Sequence, residues 1–172
     1  MGNTDPSIIS HQVSMPNGVV YDGLATDTNI PHDWSAPWDA VILLKIFSGG
    51  DTHDNDIEFF FGDPNVDSGP YVNLHFTTAS YALAQIDLVE LADSTGSSSG
   101  ATNVPFPLNV VNTLHLSFDG TTLSFYVNGS LAITTTGTWA PGLPKFYFGV
   151  DNTIAGVGPN PNNVLSGVTI TH

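Results

Sequence analysis

The sequence predicts an all-β fold in which two antiparallel sheets pack face to face as a sandwich, one domain spanning residues 1–172. Three observations carry this reading. Apolar and polar residues alternate with period two over much of the chain, as half-buried strands require. Asp-Gly and Asn-Gly stand between such runs, where hairpin turns need residues that tolerate positive φ. Only 10 % of residues are charged, against the usual ~25 %, so the polar surface must come from Ser, Thr, Asn and Gly, residues suited to strands and turns. The 41 % of hydrophobic residues is ample for one core.

The elements follow in order. "AVILLKIF" (40–47) sets Ile42, Leu44 and Ile46 against Val41, Leu43, Lys45 and Phe47. "HDNDIEFFFGD" (53–63) sets Ile57, Phe59 and Phe61 against Asp54, Asp56 and Glu58. "YVNLHF" (71–76) sets Val72, Leu74 and Phe76 against Tyr71, Asn73 and His75. "IDLVEL" reads as a further strand or as one short helical turn, and periodicity does not decide between them. "ADSTGSSSGATN" (92–103) reads as a flexible surface loop, and "VPFPLNV" as an extended connection. "NTLHLSFDGTTLSFYVNGSLAITTT" is the clearest stretch: a three-stranded meander turned at Asp119-Gly120 and again at Asn128-Gly129, before Leu131 and Ile133. "KFYFGV" (145–150) and "SGVTITH" (166–172) are closing strands around the turn-forming "GPNPNN". There is no internal repeat and no evident domain boundary.

Charge excludes several functions. Lys45 and Lys145 are the only strong cations beside 16 acids, for a formal charge of −14. Phosphate backbones need clustered Lys and Arg, so nucleic acid is excluded as a partner. Anionic membranes repel such a chain, and no apolar run reaches the ~20 residues of a membrane helix. Copies of the chain repel one another as well, so a homo-oligomer needs salt, a divalent cation or a neutral contact surface. Cysteine is absent, which removes disulfides and thiolate metal sites. "MGNTDPSIIS" has no basic segment leading into an apolar run, so the expectation is a protein without a secretory signal. The six histidines form no HExxH or close pair, and His75 and His115 read as outward strand residues.

The acidic strand leaves three readings open. Its carboxylates face water, as one side of an antiparallel sheet commonly does. Alternatively Asp54, Asp56 and Glu58 hold a cation, their hard oxygens suiting Ca²⁺, although no EF-hand pattern is present. Or they are catalytic. Among aromatic residues, outward Tyr71, Asn73, His75 and Tyr126 together offer a glycan platform, because sugars stack on aromatic faces while polar side chains hold their hydroxyls. Trp34, Trp38 and Trp139 lie near Pro or Gly in expected loops. There they either help build a site, Trp139 above all, or cap an open end of the sandwich.

"LHLSFDGTTLSFYVNGSLA", with "FYFGVDN" and "LSGVTI" downstream, resembles the concanavalin A-like lectin/glucanase fold, particularly its laminin-G and pentraxin-like branch. The resemblance implies a jelly-roll strand order with one concave, solvent-facing sheet. It also implies Ca²⁺ at a sandwich edge, which makes Asp151 and Asn152 a second metal candidate. Laminarinase- and lichenase-type glucanases of this fold carry E-x-D-x-E on a strand, and "DNDIEF" is similar. By that likeness Asp54 would be nucleophile, Asp56 its orienting partner and Glu58 the acid/base. The nucleophile position holds the shorter Asp, while retaining chemistry needs carboxyls ~5–5.5 Å apart. The expectation is therefore a non-enzymatic, lectin-like module for surface recognition or coating. Its Ser/Thr/Asn/Gly richness, lack of Cys and lack of an export signal resemble virion proteins of bacterial viruses, which implies a place on a virion surface as a decoration or fibre protein, with glycan or virion surface proteins as partners. Two alternatives stand beside it: a purely structural capsid decoration without sugar binding, and a β-glucanase.

Overall fold

The computed structural model describes residues 7–9, 13–14, 21–25, 36–47, 55–61, 71–93, 95, 97–137, 146–151 and 164–171. The strands are β1 (Ser7–Ile9), β2 (Val13–Ser14), β3 (Tyr21–Ala25), β4 (Trp38–Lys45), β5 (Asn55–Phe61), β6 (Tyr71–Phe76), β7 (Gln85–Ala92), β8 (Ser98–Pro105), β9 (Val111–Phe118), β10 (Thr122–Val127), β11 (Ser130–Thr136), β12 (Phe146–Asp151) and β13 (Val164–Thr171), with one short helix, α1 (Thr78–Leu83). Sheet A runs β1-β13-β4-β9-β10-β11, with β2 also on β13, and sheet B runs β3-β12-β5-β6-β7-β8. Every pairing is antiparallel.

The core lies between the sheets and follows from the alternation. Trp38, Ala40, Ile42 and Leu44 of β4 point inward, as do Leu114, Leu116 and Phe118 of β9 and Leu123, Phe125 and Val127 of β10. Sheet B meets them with Ile57, Phe59, Val72, Leu74, Phe76, Val89 and Leu91. Each large apolar side chain so buried contributes about 1.5–3 kcal/mol. No single surface contact competes with that, so the inward set fixes which residues face out.

Two expectations are corrected and one open alternative is decided. Trp38 does not sit in a loop: it opens β4 opposite Phe118, their ring centroids 5.8 Å apart, and is fully buried. Of the two readings open for "IDLVEL", the strand holds, within β7. Half of the stretch read as a loop is strand β8, laddered on β7 from Ser98 to Pro105. As the last strand of sheet B among the described residues, it gains its order from backbone hydrogen bonds and exposes its small polar side chains. In β11, Leu131 and Ile133 face opposite ways. The β10–β11 register pairs Phe125 with Ile133 but Tyr126 with Leu131, so Ala132 is a bulge residue that turns Leu131 outward. Neither α1 nor β1–β3 was anticipated in the sequence.

The two meander turns form as their sequences demand. Asp119 Oδ1 accepts the amides of Thr121 and Thr122 at 2.8 and 2.7 Å. Those bonds, Thr122 first, hold its carboxyl below the usual carboxylate value. At the second turn Asn128 and Gly129 adopt φ 51° and 79°, the left-handed pair a tight hairpin needs. Asn128 then ties the hairpin to its surroundings. Its Oδ1 accepts Thr113 N, and its Nδ2 donates to Oδ1 of Asn112 at 2.7 Å. Asn112 is fully buried and donates in turn to the carbonyls of Pro107 and Val110.

Asn112→Ala leaves those two carbonyls without their donor and Asn128 Nδ2 without its acceptor. The expected loss is about 2–4 kcal/mol, a fall in Tm of roughly 5–10 °C for a chain of this size. Calorimetry checks it against Thr136→Ala, an exposed control expected within about 0.5 kcal/mol of the parent.

Candidate functional site

Tyr71, Asn73 and His75 lie on the outer face of β6 and are half-buried, alternating with the fully buried Val72, Leu74 and Phe76. The register sets what surrounds them. Asn73 stands between Glu58 of β5 and Glu90 of β7, and His75 between Asp56 and Leu88. One strand further, Glu58 is opposite Gly149 and Asp56 is opposite Asp151. At ~4.8 Å per strand, two rows of polar positions therefore cross the middle of sheet B.

The row through Asn73 ends in glycine on both sides. Gly149 and then Gly23 follow Glu58, and Gly100 follows Glu90. A Cβ at Gly100 would meet Leu88 Cδ1 at 2.9 Å, so the half-buried Leu88 side chain already covers that end. In the middle of the row, Asn73 Oδ1 is shielded from solvent and has no hydrogen-bond partner. A buried acceptor left unsatisfied costs about 1–3 kcal/mol, and folding gives no reason to keep one here.

One residue from each of the two metal candidates shares a rung of the β5–β12 ladder. Asp56 and Asp151 come from stretches 95 residues apart in sequence (151 − 56), yet they are direct cross-strand partners. Among the described residues, no group of three or more His, Asp or Glu side chains is placed to hold a metal. Asp54, Trp34, Trp139 and Asn152 lie outside the described residues.

Tyr126 does not belong with Tyr71, Asn73 and His75. It is on β10 in sheet A, facing outward on the opposite side of the sandwich. Alternation correctly gives an outward face for all four, but only sheet membership separates them. What Tyr126 joins instead was missed in the sequence. Its ring stacks on His115, with centroids 5.4 Å apart and planes 22° apart, and His115 Nε2 meets Asp39 Oδ1 at 2.7 Å. His115 was expected to be a simple outward residue. Asp39 carries no local signal, because its partner is 76 residues away.

No family model and no curated protein matches the chain. Solved structures do. The VIP36 exoplasmic/lumenal domain in its Ca²⁺/Man-bound form aligns with a TM-score of 0.66 at 12% identity, over 98% of this chain and 81% of that one. The Emp47p carbohydrate recognition domain aligns with a TM-score of 0.61 at 10% identity, over 100% and 89%. A Bacillus licheniformis β-glucanase aligns with a TM-score of 0.52 at 12% identity, over 87% and 71%. The fold is the concanavalin A-like sandwich shared by lectins and glucanases.

Asn73→Val removes the orphan acceptor without creating a cavity. It is expected to raise stability by about 1 kcal/mol, seen as a Tm increase of roughly 2–4 °C. An unchanged or lower Tm would show that the amide already has a partner.

Proposed function

We propose that this protein is a lectin-like module whose sheet B outer face binds a neutral glycan. The carrying observation is the orphan Asn73 Oδ1 at the centre of a glycine-flanked polar row, between Tyr71 and His75. A sugar hydroxyl supplies the missing donor once Asn73 is uncovered. The Tyr71 ring offers a flat apolar surface to sugar C–H groups, and Glu90 and His75 supply further hydrogen-bonding groups. A chain of net charge −14 favours an uncharged polymer over an acidic one. Two structural neighbours, one a Ca²⁺/Man-bound domain and one a carbohydrate recognition domain, support the same ligand class.

Binding rather than cleavage is the reading adopted for the acids. The β5 register places Asp56 beside Asp151, a pairing that a Ca²⁺ ion would relieve by accepting both carboxylates as hard oxygen ligands. A second reading, a decoration protein on a virion surface that docks without sugar, draws on one observation. Edge strands β8 and β11 carry no charged residue in a strongly acidic chain, and they lie side by side through Ser99 Oγ and Thr135 Oγ1 at 3.1 Å. That is a neutral strip of the kind a protein partner could pair with.

Titration against neutral mannan, β-glucan and galactan should give saturable binding to at least one polymer. Tyr71→Ala and Glu90→Gln should each weaken it by about tenfold, or ~1.4 kcal/mol, with the melt unchanged. No binding to any polymer, with retained docking on a capsid or tail surface, would favour the decoration reading. Release of reducing ends from β-glucan that vanishes in Glu58→Gln would make the protein a glucanase instead. For the ion, added Ca²⁺ should raise Tm by several degrees over EDTA, and Asp56→Asn should abolish the shift. A shift that survives Asp56→Asn would place the ion elsewhere.

A further inference from the structure

We infer that the outer face of sheet A carries a second saccharide site, built on Leu131, Tyr126, His115 and Asp39, so that one molecule holds glycan on both sides of the sandwich. The inference rests on the glycan reading of sheet B for the ligand class, and on independent geometry for the place.

Three features of this face have no explanation in folding. The Ala132 bulge turns Leu131 to the outside beside Tyr126, where it is 56% exposed, although an unbroken ladder would have kept it in phase with Ile133. Bulges recur where a side chain is re-aimed for function. The Tyr126 and His115 rings stack in a half-exposed position on neighbouring strands. His115 is in turn fixed by Asp39, with side chains 36% and 47% exposed. A polar contact that wet contributes about 0–1 kcal/mol, and an exposed leucine contributes less still. What these contacts do achieve is to hold two rings and a carboxylate in one arrangement before any ligand arrives, which lowers the entropic cost of binding.

The arrangement has the two-sided character of a pyranose. Leu131, Tyr126 and His115 form an apolar row across β11, β10 and β9. One rung away, Ser124, Ser117 and Asp39 form a parallel polar row across β10, β9 and β4. The serines are short, so the rings stand above them and a sugar can lie with its C–H face on Tyr126 and its hydroxyls toward Asp39 and the serines. Asp39 gives one oxygen to His115 and keeps the other for a hydroxyl. The face spans about 14 Å at ~4.8 Å per strand, which suits an oligosaccharide better than a single ring.

The test is calorimetric titration and precipitation with mannan, β-glucan and galactan, using wild type, Tyr126→Ala, Asp39→Asn, the fold-sparing Leu131→Ser, and Tyr71→Ala on the opposite face. The expected result is about two sites per chain and cross-linking of the polymer by wild type. Tyr126→Ala and Asp39→Asn should fall to about one site and lose cross-linking, Leu131→Ser should weaken one site several-fold, and Tyr71→Ala should keep the sheet A site. If the sheet A variants match wild type, or Tyr71→Ala alone abolishes all binding, this inference is overturned and the sheet B reading stands. If the sheet A variants abolish all binding while Tyr71→Ala leaves it intact, the site stands and the sheet B reading fails. Wild type that binds none of the three polymers overturns both.

Discussion

Everything in this structure depends on the mutual burial of two sheet faces. Neither sheet has another way to remove its apolar side from water, and strand geometry then leaves each inward residue with outward neighbours. Leu74 in the core obliges Asn73 and His75 to face away from it, and Leu116 does the same for His115 and Ser117. The outer faces are thus positioned by the best-packed part of the molecule. Groups held on strands in this way move less than groups on loops, and that suits recognition by several weak contacts at once.

Charge is the second constraint. With two cations among 172 residues, the protein has almost no internal means of pairing its acids. Lys45 lies over the Phe47 ring at 4.3 Å from its centroid. Asp119 is satisfied by backbone amides, and Asp93 by the amides of Thr95 and Ser97 and the Thr95 hydroxyl. At these two acids backbone N–H groups do the work that Lys and Arg do elsewhere. They are fixed dipoles, insensitive to the loss of any side chain.

Much of the fold was legible because its signals are local. The meander is written in two turn dipeptides and in alternation, and β6 was delimited to the residue by its own pattern. What escaped was decided by partners far away in sequence. β8 has too few apolar residues to announce itself and is a strand only because β7 offers it a ladder. The outward turn of Leu131 comes from one unpaired residue, Ala132, that no composition reveals. The grouping of candidate residues met the same limit. Alternation identified Tyr71, Asn73, His75 and Tyr126 as outward residues but carries no information on sheet order, so residues from opposite faces were grouped. It also left Asp56 and Asp151 as separate candidates, although the ladder makes them neighbours.

The Asn128-Gly129 turn has a chemical consequence. An asparagine followed by glycine is the sequence most prone to lose its side-chain amide, because the small glycine lets its own nitrogen attack the neighbouring carbonyl carbon. Here both ends of that amide are held, the oxygen by Thr113 N and the nitrogen by Asn112 Oδ1, so the carbon is kept from swinging toward Gly129. Ageing at this position therefore proceeds through the opened hairpin.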